Sequence, residues 1–367
     1  MVGLISLAEL VPLLLMPFVG GALSDAFDRR RLIQVAEIGS ALGVVVLLVN
    51  ALLAEPRVWV IFAVTPFLGA LYGIFRPALD ALVPRLVTRE ELPAASALEG
   101  FRGTMGAIAA PALAGVIIAA AGLPAAYAID LATFGASLLS LWLMRPFPPP
   151  EDAARPSLRT VMEGVRYAWS RQDLMGTYTV DIIAMFFGMP LALFPAIAEG
   201  FGGGAGILGL MYTAPEVGAL IATVTSGWVV RVHRHGLAVA VAAVVWGAAI
   251  AGFGLAETLP LALAFLVVAG GADMVSGIFR MTMWNQTIPD SLRGRLAGIE
   301  QVSYTSGPLL GNLEAGVVAS LASVRASVVS GGVLCVVGVV IATIALPAFR
   351  RYDVRASQSN SPPVGAL

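Results

Sequence analysis

The tetrapeptide Gly-Ile-Phe-Arg occurs twice, at Gly73–Arg76 and at Gly277–Arg280, 204 residues apart, each time on a long apolar stretch that ends at a proline, Pro84 or Pro289. Two further echoes at an offset of 201 agree: Ala97-Leu98-Glu99 answers Gly298-Ile299-Glu300, and Gly115-Val116 answers Gly316-Val317. A two-fold repeat of apolar segments marks a duplicated membrane bundle, and in such proteins the transport site lies between the two copies. The second copy opens near Asp173, so the counterpart of its first helix is expected about thirty residues before Met1, and one helix of the first copy has no equivalent here.

A content of 58% hydrophobic and 12% charged residues, with a mean hydropathy of +0.87, is outside the range of water-soluble domains. Apolar runs between charged or Gly/Pro breaks fall at about 3–23, 32–54, 58–83, 94–121, 124–145, 174–198, 206–230, 237–256, 259–285, 296–320 and 325–347. The pattern predicts an all-α membrane protein with eleven spans and no room for a separate soluble domain. Residues 1–145 are expected to form an N-terminal bundle, 146–172 a cytoplasmic linker, 173–349 a C-terminal bundle, and 350–367, rich in Ser, Asn and Pro, a disordered tail. The linker opens with Pro146-Phe147-Pro148-Pro149-Pro150. Leu158, Val161, Val165 and Trp169 then share one helical face, as in an interfacial amphipathic helix.

Basic residues in short loops stay on the cytoplasmic side. Here the basic charge is all arginine, and alternate loops carry Arg29, Arg30 and Arg31, then Arg85 and Arg89, then Arg145 to Arg171, then Arg231 and Arg234, then Arg293 and Arg295, and finally Arg350, Arg351 and Arg355. The intervening loops hold only Arg57 and Arg325. The expected topology is a multi-pass protein of the inner membrane with a cytoplasmic C-terminus. Eleven spans would place Met1 outside, which again points to a further helix ahead of it. The opening residues show neither the basic n-region nor the cleavage site of a signal peptide. The single cysteine, Cys335, lies in an apolar run and is expected to be a buried, inert thiol. His233 and His235 fall in a basic loop and are expected to be solvated, with no metal site. There is no Walker loop and no cofactor is expected, so neither ATP hydrolysis within the chain nor an enzymatic role is indicated.

The most specific local pattern is Gly20-Gly21-Ala22-Leu23-Ser24-Asp25-Ala26-Phe27-Asp28-Arg29-Arg30-Arg31. Gly21 allows close helix approach, Asp25 at a membrane edge can face a helix N-terminus, and the arginines hold the loop at the cytoplasmic face. This resembles the Gly-x-x-x-Asp-x-x-Gly-Arg-Arg signature between the second and third helices of the major facilitator superfamily, with Asp28 in place of the second glycine. In the second copy, Gly227-Trp228-Val229-Val230-Arg231 carries arginine where the aspartate stood. Within the superfamily, Phe75-Arg76-Pro77-Ala78-Leu79-Asp80-Ala81-Leu82-Val83-Pro84, Arg89-Glu90-Glu91-Leu92, Ala95-Ser96-Ala97-Leu98 and the Arg293-Gly294-Arg295 turn are similar to the branch that holds the enterobactin exporter and related drug efflux proteins. The resemblance implies a major facilitator fold of two pseudo-symmetric six-helix bundles with eleven of twelve helices present. It also implies a monomer that moves a small-molecule substrate outward against entering protons.

Charges inside spans cost about 2.5–3.5 kcal/mol each at the helix centre and persist only with a partner or water. Asp25, Arg29, Arg30, Arg76, Asp80, Arg280 and Glu300, with Gly21, are expected to form a cytoplasmic gate, Arg76 and Asp80 being spaced to pair along their own helix. The alternative is a static interface pair with no switching role. Asp181, Glu216 and Asp273, a third to halfway through their spans, are candidates for proton coupling, since a desolvated carboxylate can exchange a proton near neutral pH. The alternative is that each is neutralised locally and only packs helices. Glu9, Tyr72, Arg102, Met185, Phe186, Tyr212, Trp284 and Glu314 are candidates for a substrate cavity suited to an amphiphile, against simple packing toward lipid. Asp130 is expected to play at most a supporting role. Pro190, Pro215 and Pro308 are expected to kink their helices or to be absorbed by neighbours.

The leading expectation is a secondary transporter exporting a hydrophobic or amphiphilic molecule of siderophore or drug type by proton antiport. The competing ones are a transport-dead or receptor-like membrane protein, and an uptake or lipid-flipping transporter of the same fold. No nucleic-acid partner is indicated; the partners expected are the substrate, protons and the bilayer.

Overall fold

A computed structural model describes residues 5, 8, 9, 12, 15, 16, 19, 20, 23, 27–86, 91–144, 166, 167, 169–288 and 290–355, without the side chains of 80, 81, 83–85, 92–97, 99, 100, 104 and 290–305. Helix is the only regular structure among the described residues. Hydrocarbon offers backbone N–H and C=O groups no water, so each span must satisfy them internally. Residues 5, 8, 9, 12, 15, 16, 19, 20 and 23 are all helical. They are followed by α1 (Arg29–Ala51), α2 (Val58–Leu86), α3 (Leu92–Leu143), α4 (Gln172–Phe187), α5 (Phe194–Gly200), α6 (Ala205–Val224), α7 (His235–Leu255), α8 (Leu259–Thr287), α9 (Asp290–Leu321), α10 (Val324–Ala345) and the short α11 (Pro347–Arg350). Among the described residues eight stretches are long and apolar enough to cross a membrane.

The expected spans 94–121 and 124–145 form one continuous element, α3. Its 52 residues would run about 78 Å if straight, more than twice the ~30 Å hydrocarbon core. Gly122 breaks it with φ 81° and ψ 170°, a conformation that a side chain would strain, and Pro124 starts the second leg.

The chain divides into two compact units, Met1–Ser157 with Ala198–Thr213, and Leu158–Ile197 with Ala214–Leu367. In the first, α1 and α2 form a hairpin clipped by Asn50, whose Oδ1 accepts from Arg57 N at 2.9 Å and whose Nδ2 donates to Arg57 O at 3.3 Å. Asp28 caps α1 by accepting from Arg31 N at 3.1 Å. The second leg of α3 lies along α1, where Arg30 donates to Leu141 O and Trp142 O at 2.6 and 2.9 Å. The first leg meets the Ala205–Thr213 stretch where Gly115 and Gly209 face each other; a Cβ on Gly115 would lie 2.8 Å from Ala205 O.

In the second unit Pro190 ends α4 rather than kinking it. Gly188 closes the helix, a 3₁₀ turn spans Leu191–Leu193, and α5 resumes the path. The break frees backbone groups, and Asn312 of α9 satisfies one by accepting from Ala192 N at 2.8 Å. Pro215 and Pro308 stay within α6 and α9. α6 and α8 cross backbone to backbone, Gly270 against Pro215 O and Gly218 against Val267 O.

Two expectations are corrected at the arginine-bearing end of this unit. His235 is not solvated. It is 5% exposed, opens α7, holds Nε2 3.1 Å from Val232 O and sets its ring 5.2 Å from that of Phe279. Residues 351–355, the described part of the stretch expected to be a disordered tail beyond Arg350, are also packed against the unit. Phe349 is fully buried against Gly176 of α4 and Gly236 of α7, Tyr352 donates to Gln286 Oε1 at 3.1 Å, and Val354 N donates to His233 O at 3.1 Å. Of the anticipated amphipathic helix, residues 166, 167, 169 and 170 are helical; Leu158, Val161 and Val165 lie outside the described residues. Cys335 is buried, as expected.

The α6–α8 crossing yields a paired test. Gly270→Val drives a side chain into the Pro215 carbonyl and is expected to cost about 1–3 kcal/mol, seen as a lower thermal midpoint of the detergent-solubilised protein. Gly277→Ala, whose added Cβ meets nothing within 4 Å, should leave the midpoint in place.

Candidate functional site

An ion cluster in the second unit ties α4 to α8, with α6 close by. Its base is aromatic: Tyr178 of α4 stacks on Trp284 of α8 with centroids 5.4 Å apart, and Trp284 Nε1 donates to Thr177 Oγ1 at 2.9 Å. Leu174 and Ile288 complete this core, and Tyr167 donates to Thr287 O at 3.1 Å beside it. One turn onward along each helix, neighbours at i and i+4 place Asp181 and Arg280 opposite one another. They form a hydrogen-bonded ion pair with side chains only 4% and 3% exposed. Two turns along the same face of α8, Asp273 directs Oδ1 to 3.7 Å from Arg280 Nη2 and is 44% exposed. Glu216 follows Pro215 at the α6–α8 crossing, where Pro215 O meets Gly270 one turn from Asp273 along α8.

The structure joins two of the three carboxylates expected to couple protons, Asp181 and Asp273, to Arg280, expected from its depth to belong to the gate, and sets Glu216 on the helix that crosses α8 beside them. Such a pair in low dielectric is held by desolvation as much as by attraction, because removing one partner strands the other charge. At the edge of this unit, Arg171 donates to both Asp173 oxygens at 3.0 and 2.6 Å, which raises the pKa of the guanidinium above its ordinary value.

The remaining gate candidates are less united. Gly21 and Asp25 lie outside the described residues, as do the side chains of Asp80 and Glu300. Arg29 is buried and Arg76 half-buried. Arg30 is engaged in capping the C-terminal end of α3. Among the cavity candidates, Met185 packs on Gly307 and Gly311, and Trp284 sits in the aromatic base, so both are buried packing groups in this structure. Phe186 is half-buried, edge-on to Phe187. Glu9, Tyr212 and Glu314 are half-buried, while Tyr72, Arg102 and Asp130 are exposed.

Two residues escaped sequence reasoning. Glu37 of α1 is buried and accepts from Ser137 Oγ of α3 at 2.6 Å. A carboxylate two turns inside an apolar helix was a visible signal; its partner, 100 residues away, was not. Asn312 caps the broken α4–α5 path and was hidden because its acceptor role depends on a break elsewhere.

Spans broken at proline and glycine, with ionisable groups paired across helices inside them, define an all-α integral membrane protein of the transporter class. Solved structures with this fold include a POT family transporter in complex with 5-aminolevulinic acid, with a TM-score of 0.73 and 12% identity, covering 95% of this chain and 88% of that one. The human organic anion transporter MFSD10 (TETRAN) has a TM-score of 0.65 and 18% identity, covering 93% and 83%. The model of the major facilitator family described as transmembrane secretion effector matches residues 1–366, and the chain belongs to that family. Similar curated proteins include the enterobactin exporter EntS of Citrobacter koseri, 29% identical over 91% of this chain and 80% of that protein, and its counterpart in Escherichia coli O1:K1, 28% identical over 94% and 83%. The protein is a membrane transporter of the branch containing these relatives, and not an enzyme.

Arg280→Ala removes the ion-pair partner of the buried Asp181 carboxylate and is expected to lower stability by about 3–5 kcal/mol, measured as loss of monodisperse protein on mild heating in detergent. The double variant Asp181→Asn with Arg280→Gln removes both charges and should recover most of the loss.

Proposed function

We propose that the protein exports a hydrophobic or amphiphilic small molecule of siderophore or drug type across the inner membrane, in exchange for entering protons, by alternating access. The observation that carries this reading is the pairing of Arg280 with two carboxylates, Asp181 and Asp273, with Glu216 beside them at the α6–α8 crossing. Two carboxylates share the Arg280 guanidinium, so one of them can take up a proton while the other still faces the charge. Proton binding at Asp181 would weaken its pairing with Arg280 and loosen the α4–α8 contact without leaving a bare charge behind. Release of that proton would restore the pair. A substrate that favours the loosened state would then be coupled to the proton through a shared equilibrium. The enterobactin exporters among the relatives support the outward direction and the substrate class.

In this scheme Glu9, Tyr72, Arg102, Phe186, Tyr212 and Glu314 contact the substrate. Asp25, Arg29, Arg76, Asp80 and Glu300 form the cytoplasmic gate, and a monomer suffices. The C-terminus faces the cytoplasm, following the arginine distribution. The bundle division at 1–145 and 173–349, with a linker between, belongs to the same proposal.

Deleting the gene in its host and comparing compounds inside and outside the cells tests the reading. A compound retained by the deletant, released on complementation and not released by the triple variant Asp181→Asn, Glu216→Gln, Asp273→Asn, is the expected result. In proteoliposomes the same compound should move when a pH gradient is imposed, and the triple variant should show only the leak of empty vesicles. Movement indifferent to the gradient would remove proton coupling; accumulation inside wild-type cells would reverse the direction.

A further inference from the structure

A second feature of the same unit has no part in that scheme. A groove of about 650 Å³ runs between α6, α7 and α8, within the range of about 300–1,000 Å³ typical of small-molecule sites. It exists because α6 and α8 touch at Gly218 and Gly270 and then part, the chain leaving α6 through a 3₁₀ turn at Ser226–Arg231 before α7 begins. Small residues such as Ala222, Ala238 and Gly271 form its floor. Ile221, Val241, Val245 and Val268 stand exposed along its rim, so it opens sideways onto the hydrocarbon. The Thr225 hydroxyl is turned back to Ile221 O at 2.7 Å and contributes no polarity.

One end of the groove is different. There it is lined by Trp228 and Arg234. Trp228 is 43% exposed, with its ring 6.0 Å from that of Phe279, a position suited to the interface between hydrocarbon and headgroups. The Arg234 guanidinium is exposed and makes no hydrogen bond or ion pair with any described residue. From Arg234 to Val245 is eleven residues of α7, about 16 Å. That is half of the ~30 Å hydrocarbon core, the depth of a single leaflet.

We propose that this groove is a binding site for an anionic phospholipid of the leaflet that Arg234 faces, with one acyl chain along the groove and the phosphate on the guanidinium. Length, apolar lining and lateral opening suit the chain. An unpaired cation at headgroup depth selects an anionic over a zwitterionic head, as basic pockets between spans do on the cytoplasmic side of membranes.

The test uses the full chain in detergent, mixed with vesicles of phosphatidylglycerol or phosphatidylcholine, with retained lipid counted by native mass spectrometry. Wild type should retain phosphatidylglycerol preferentially. Arg234→Gln should weaken its retention about fivefold, the equivalent of about 1 kcal/mol for one interfacial arginine, and leave phosphatidylcholine unchanged. Val241→Trp, which fills the groove from an exposed position, should lower retention of both lipids; Ile221→Trp on the opposite wall serves the same purpose should that variant not fold. Equal retention of the two lipids by wild type, undiminished phosphatidylglycerol on Arg234→Gln, or displacement by millimolar inorganic phosphate alone would overturn the proposal.

Discussion

Helices in hydrocarbon gain nothing by hiding apolar side chains from one another, so their association rests on how closely their backbones can approach. In this chain that approach is set by glycine. Gly311 lies on the carbonyls of Met185 and Phe186, Gly331 on that of Phe187, and Gly247 faces Gly332 across α7 and α10. Each contact brings the surface of one helix against the peptide groups of the next. The central role of α4 in the second unit follows, since α7, α9 and α10 all press on its last two turns.

The same closeness explains why α4 can be interrupted. A span that stops at Gly188 and restarts after Pro190 exposes peptide groups at membrane depth, which is tolerated only where protein supplies partners. Asn312 supplies one from α9, and the α9 glycines allow that helix to lie near enough to do so. Break, cap and close contact form one arrangement.

Much of the fold was legible because helical spans announce themselves locally. The boundaries expected for α2, α7, α8 and α10 lie within a few residues of those found. The merged α3 also agrees, since the expected gap at 122–123 is the glycine break itself. What depended on contacts between distant segments was not legible. His235 belongs to a basic loop by sequence, and only Phe279 and Tyr352 make its position an interior one. Arg30 reads as one of three equivalent loop arginines until the end of α3 is placed beside it. At the site, each carboxylate could be found singly from its depth in an apolar run. The convergence of Asp181 and Asp273 on Arg280 could not, because depth along a helix carries no information about the face across from it.

The aromatic plug formed by Phe349 has a consequence for how the protein is made. Gly176 and Gly236 leave room between α4 and α7 for the Phe349 ring and backbone, and Phe349 follows α10 in the chain. During synthesis, α4 and α7 enter the membrane long before residue 349 leaves the ribosome. The seat stays vacant until that ring emerges, so the packing of α4 against α7 is completed by a residue made after both helices are already in the membrane.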